Sequence, residues 1–121
     1  MKGYTEHDKV DCVTETSLAY ADVEVYVGDT VSLSCNTSSD VMWTYHYIDD
    51  GYVQYVYWND QIDSSQPQLS VNVTELDFVS LIISDVQFTD IGHYDCYDNS
   101  GLRTVGYHVT VNGMCYFYHT T

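Results

Sequence analysis

Asp90-Ile91-Gly92-His93-Tyr94-Asp95-Cys96 is the stretch on which the reading of this 121-residue chain turns. As an extended segment it sends Tyr94 and Cys96 to one side and His93 and Asp95 to the other. Its counterpart lies 61 positions earlier, where Gly28-Asp29-Thr30-Val31-Ser32-Leu33-Ser34-Cys35 reads as a turn followed by a strand. The odd-numbered positions of that strand share one face and end in a cysteine. Trp43 follows eight positions after Cys35.

Outward from these two segments the same period of two recurs in short runs. Val23-Val25-Val27, Val41-Trp43-Tyr45-Tyr47, Val71-Val73, Leu81-Ile83 and Val109-Val111 all alternate with polar neighbours. Turn-forming clusters separate them: Gly28-Asp29, Ser38-Ser39-Asp40, Asp49-Asp50-Gly51, Asp63-Ser64-Ser65 and Asn99-Ser100-Gly101. No segment holds a helical period beyond two turns. Many short strands with regular turns mean a sandwich or a barrel. The length fits one domain, and 45% hydrophobic residues suffice for a real core.

A cysteine pair at this separation, with that tryptophan and an Asp-x-Gly-x-Tyr-x-Cys segment, resembles the immunoglobulin superfamily from about residue 23 to residue 111. The room between the cysteines resembles the variable type rather than the shorter constant type. The resemblance implies an all-β, two-sheet antiparallel Greek-key sandwich with strands near 22–27, 30–36, 41–47, 52–58, 68–73, 78–84, 92–98 and 103–112. It implies a Cys35–Cys96 bridge across the core, contributing on the order of 4 kcal/mol in the chain-entropy picture. Trp43 would pack on that bridge, and Tyr94 would anchor the turn before its strand, with Asp90 and Gly92 completing the signature.

Two departures from the family pattern stand out. Gln68 occupies the position where such domains commonly carry an Arg facing Asp90, so Asp90 is expected to accept hydrogen bonds from neighbouring groups instead. Val105-Gly106-Tyr107-His108 replaces the Phe/Trp-Gly-x-Gly bulge of antigen receptors. That fits an adhesion or innate receptor module better than a rearranged antigen receptor.

Residues 12–113 read as the domain, residues 1–11 as a flexible polar lead, and residues 114–121 as a tail or the start of a following domain. Met1-Lys2-Gly3-Tyr4 lacks the apolar core of a signal peptide, and no stretch approaches about 20 apolar residues, so the chain reads as a mature ectodomain fragment. The even cysteine number and the sequons at Asn36 and Asn72 point to the secretory pathway, extracellular or at the cell surface. Parity argues for a second bridge between Cys12 and Cys115. Geometry argues against it, because sixteen extended residues carry Cys12 about 50 Å from the turn at Gly28.

Eighteen acidic residues face three basic ones, Lys2, Lys9 and Arg103, for a net charge of −15. Such a chain repels nucleic acid and anionic membranes and favours a basic partner. The same charge also serves plain solubility. No nucleophile elbow, phosphate loop or zinc spacing is present, so neither catalysis, a cofactor nor a bound metal is expected. The expected function is recognition of a protein partner, in adhesion or immune-type binding, by the outer face of strands C, F, G and C′ and its loops. A homodimer through that face is the other form such pairing takes. A small-ligand or metal-binding module and a structural spacer are the alternatives.

Alternation assigns Met42, Thr44 and His46 to this outer face, with Tyr97 and His108 beside them. His93 and His108 are expected opposite each other with His46 one strand away, a grouping able to bind metal or to respond near pH 6. Tyr52, Tyr55 and Tyr57 on C′ offer large contact area at low entropic cost, although half of that strand's side chains must point inward. Arg103 is expected either to pair with Asp98 across the base of the F–G loop or to contact the partner.

Overall fold

The computed structural model describes residues 20–37, 40–47, 52–76 and 78–114. Among the described residues nine strands form in chain order: β1 Ala21–Val25, β2 Val31–Leu33, β3 Met42–His46, β4 Gln54–Trp58, β5 Gln61–Ile62, β6 Leu69–Val73, β7 Val79–Ile83, β8 Gly92–Tyr97 and β9 Arg103–Val111. One 3₁₀ turn, Phe88–Asp90, leads into β8. Six strands make one sheet in the order β1-β9-β8-β3-β4-β5, and β2-β7-β6 make the other. Every pairing is antiparallel except β1 with β9, which run parallel from Ala21↔Tyr107 to Val25↔Val111. The expected strands are all present. The short β5 hairpin strand is an addition that its two residues, Gln61 and Ile62, were too few to announce.

The core lies between the sheets, where the alternating residues of both inner faces meet. Leu33, Leu81, Ile83, Val109 and Val111 are fully buried, as are Trp43 and Cys96. Cys35 and Cys96 are joined, with their Cα atoms 6.4 Å apart. Trp43 donates its indole N–H to the Val79 carbonyl across the core, at 3.1 Å. The Tyr94 hydroxyl donates to the Asp90 carbonyl at 2.6 Å, which ties β8 to the turn that feeds it. Burial pushes that phenol's pKa well above its ordinary value.

Asp90 is held without an arginine. Gln68 Nε2 donates to Asp90 Oδ1 at 3.0 Å, and the Gln87 amide donates to Oδ2 at 2.8 Å. A neutral amide therefore fills the role of the family's cation, in a site where a buried carboxylate must find donors. Gly92 has φ of +151°, and a Cβ there would stand 2.5 Å from the Tyr45 ring and 2.8 Å from the His46 carbonyl. Only glycine fits this close approach of β8 to β3.

A register shift between Trp43 and Thr44 alters the C′ reading. Trp43 pairs with Tyr57 and Thr44 with Tyr55, so Val56 is the extra residue of a bulge. Consecutive residues Val56 and Tyr57 are then both buried, where strict alternation would bury one. The β4–β5 hairpin turns on Asn59 and Asp60, both left-handed with φ of 57° and 64°. Asn and Asp tolerate that conformation, and the turn matches the sheet's twist.

Replacing Tyr94 by Phe removes the donor to the buried Asp90 carbonyl without opening a cavity. The stability of Tyr94→Phe is expected to fall by about 1–3 kcal/mol in urea unfolding, with an unchanged m-value.

Candidate functional site

Strands β3, β8 and β9 lie side by side, and their register places His46, His93 and His108 directly across from one another. Asp22 on β1 stands opposite His108, which completes a row across four strands. The rings are in contact: His93 Nδ1 lies 3.1 Å from His46 Nε2, and the His93 and His108 centroids are 4.9 Å apart. His108 Nδ1 comes within 3.3 Å of Asp22 Oδ1, although the approach is too oblique for a hydrogen bond.

Asp95 occupies the next step along β8. Its Oδ1 accepts from Arg103 Nε at 2.6 Å, and its Oδ2 accepts from the Tyr20 hydroxyl at 3.2 Å. The Tyr20 ring stacks on His93 at 4.0 Å between centroids, and the Arg103 guanidinium lies over the same ring at 4.4 Å. Burial, then the neighbouring Asp95 charge, pushes the Tyr20 phenol up to about 12. Gly106 pairs with Asp95 across the strands, and a Cβ there would collide with the Arg103 guanidinium and stand 2.6 Å from Asp95 Oδ1. A glycine in the middle of a strand is the seat of this ion pair.

These contacts correct the expected open face. Thr44 and His108 keep only 2% and 1% of their surface, so neither can meet a partner. Met42, His46 and Tyr97 are half-buried, and Tyr57 points inward. Alternation tells which side of a sheet a residue faces; it does not tell whether that side is capped, and Tyr20 caps it from 75 positions away. Arg103 is corrected too, because it pairs with Asp95 and not Asp98. Asp98 instead accepts from the Ser100 amide at 2.9 Å, the Ser100 hydroxyl at 2.6 Å and the Leu102 amide at 3.0 Å. Those bonds close the β8–β9 loop and hold its carboxyl below the usual range.

The exposed aromatic surface lies on β4 and the segment before it. Tyr55 and Trp58 are 60% and 62% exposed, with rings 6.3 Å apart, and Tyr52 and Val53 are exposed beside them. Trp58 is the residue that the tyrosine pattern passed over. Beside it opens a cleft of about 330 Å³ lined by Asp40, Met42, Trp58, Asn59, Asp98 and Asn99. The cleft therefore gathers the ends of three loops, one apolar wall and two carboxylates.

Of the histidine grouping, no set of three or more His, Cys, Asp or Glu side chains among the described residues has the geometry to hold a metal ion. Asn36 and Asn72 are both exposed. Ser38 of the first sequon lies outside the described residues, as do Cys12, Cys115 and the segments 1–11 and 115–121.

The Asp95–Arg103 pair yields a direct check. Arg103→Met leaves a buried carboxylate without its cation and is expected to cost about 3 kcal/mol. In double-mutant cycles Arg103 should couple to Asp95 by more than about 1 kcal/mol, and to Asp98 by an amount indistinguishable from zero.

The family model described as "Immunoglobulin V-set domain" matches residues 20–112, which takes in both sheets, the disulfide and the histidine row. None of the curated proteins compared with the chain matches it. No helix among the described residues is long and apolar enough to cross a membrane. With its two-layered all-β architecture, its bridged Cys35 and Cys96, and a family match over most of its length, this chain belongs to the immunoglobulin V-set family.

Proposed function

We propose that this V-set domain is an extracellular recognition module of a cell-surface or secreted receptor, and that it binds a basic protein partner at the exposed aromatic residues of β4 and the cleft beside them. The observation that carries the reading is the adjacent, exposed pair Tyr55 and Trp58 beside a cleft walled by Asp40 and Asp98. Rigid aromatic side chains that bury large area at small entropic cost are what interface centres use. A lysine or arginine of the partner would find an indole face and two carboxylates within one cleft, a setting that favours a cation over a neutral side chain.

Charge supports a partner of opposite sign over a second copy. At −15 per chain, like copies repel at any face that does not exclude the acids. Arg103 is half-buried and engaged with Asp95, and among the described residues no arginine or lysine lines the cleft. Met42 contributes an apolar wall there, while Thr44, Tyr57 and His108 have no part in contact. Exposed Asn36 and Asn72 are compatible with attached glycans. The reading gives the domain no catalytic role.

Binding to a panel of cell-surface and secreted ectodomains tests the proposal. Trp58→Ala and Tyr55→Ala should each weaken the interaction at least about tenfold, while Leu76→Ala, exposed in the turn between β6 and β7 of the other sheet, leaves it unchanged. Affinity should fall steeply as salt rises from about 0.05 to 0.5 M. Sedimentation that shows a salt-resistant dimer abolished by Trp58→Ala would replace the basic partner with a second copy.

A further inference from the structure

The histidine row has a property that a surface for partners does not require. His93 Nε2 and both ring nitrogens of His108 are buried without a hydrogen-bond partner, and the Thr44 hydroxyl is in the same condition. Unpartnered buried nitrogens are tolerable while an imidazole is neutral and become costly once it carries a charge. The groups facing the row come from every neighbouring element: Tyr20 ahead of β1, Asp22 on β1, His46 on β3, Asp95 on β8, and Arg103 and His108 on β9.

The contact between His46 and His93 is the sensitive point. Across 3.1 Å one ring nitrogen must donate and the other accept. A first added proton leaves that arrangement intact if it goes to the outer nitrogen of His46, which lies 3.9 Å from Asp95 Oδ2. A second proton, on His93, puts an N–H on both sides of the same gap, and the rings must part. His93 is also the floor on which Tyr20 is stacked. A cationic imidazole would attract the phenol ring, but Arg103 already lies over that ring at 4.4 Å and opposes a second cation beside it.

We propose that the Asp22–His108–His93–His46 row is an acid-sensitive latch, in which protonation of His46 and His93 together parts the two rings, releases Tyr20 and with it strand β1 from β9, and uncovers the β3–β8–β9 face. Burial, followed by the His108, His46 and Arg103 charges, holds His93 down to about 4 in the latched state, against 6.5 for a free imidazole. The released state therefore binds more protons between those limits, and the latch weakens as pH falls through that window and strengthens as it rises. From His93 alone, the opening constant at pH 5 should exceed that at pH 7.5 by about thirtyfold.

Amide hydrogen exchange on the full chain, corrected for the intrinsic pH dependence, reads the opening directly. Protection over Tyr20–Val25 should fall about thirtyfold between pH 7.5 and pH 5, while Leu81 on β7 in the other sheet keeps its protection. His93→Phe keeps an aromatic floor for Tyr20 and cannot take up a proton, so its β1 protection should be independent of pH in this range. That variant separates opening driven by histidine from opening driven by carboxylates. Should His93→Phe not fold, the imidazole Cε1 resonances of the unaltered protein decide the matter. His93 should then titrate far below 6.5, together with a change in the Tyr20 ring signals. Constant β1 protection in the unaltered protein, an equal loss in His93→Phe, or a His93 that titrates at 6.5 with Tyr20 unmoved would each overturn the latch.

Discussion

Strand β8 is buried on both of its faces, and most of what distinguishes this domain follows from that constraint. On the inner side Tyr94 and Cys96 fix the sandwich through the bridge to Cys35 and the bond to the Asp90 carbonyl. On the outer side His93 and Asp95 would ordinarily face water, and here they do not. Burying a carboxylate on a sheet face demands a cation and further donors. Arg103 and Tyr20 supply them, and the guanidinium needs space that only Gly106, a residue without a side chain, leaves open. The ion pair, the glycine and the stacked tyrosine are therefore one arrangement, not three separate features.

The fold was legible in the sequence because its signals are local or rest on spacing. The alternation around Cys35, the tryptophan eight positions later and the Asp90–Cys96 segment each follow from geometry that any such sandwich must satisfy. The register that brings His46, His93 and His108 together was also legible, since Cys96 and Val109 fix the inward parity of their strands. What lay beyond reach was the covering of the outer face. Tyr20 meets Asp95 and His93 through contacts across more than seventy residues, and no period in the chain reports them.

Two further misses have physical causes. Arg103 and Asp98 flank one loop, which suggests a pair, yet Asp98 Oδ1 is engaged by the Ser100 and Leu102 amides of that loop while Arg103 turns to Asp95. The isolated Gly106 inside an alternating strand was the available hint that something large sits above it. On β4, the bulge opposite Trp43 shifts the phase, so that Tyr57 turns inward while Trp58 at the hairpin turn becomes the exposed ring. Bulges arise from pairing between strands, so a single strand read by itself does not reveal one.

The commitment of the chain's only arginine to Asp95 has an electrostatic consequence. With Arg103 turned to Asp95, the described surface carries carboxylates and, among Lys and Arg, no side chain able to balance them. Small mobile cations from solution must gather around such a surface. Docking of a polycationic protein would displace them into bulk water, and the gain in their translational freedom would drive association even where the direct contacts are few.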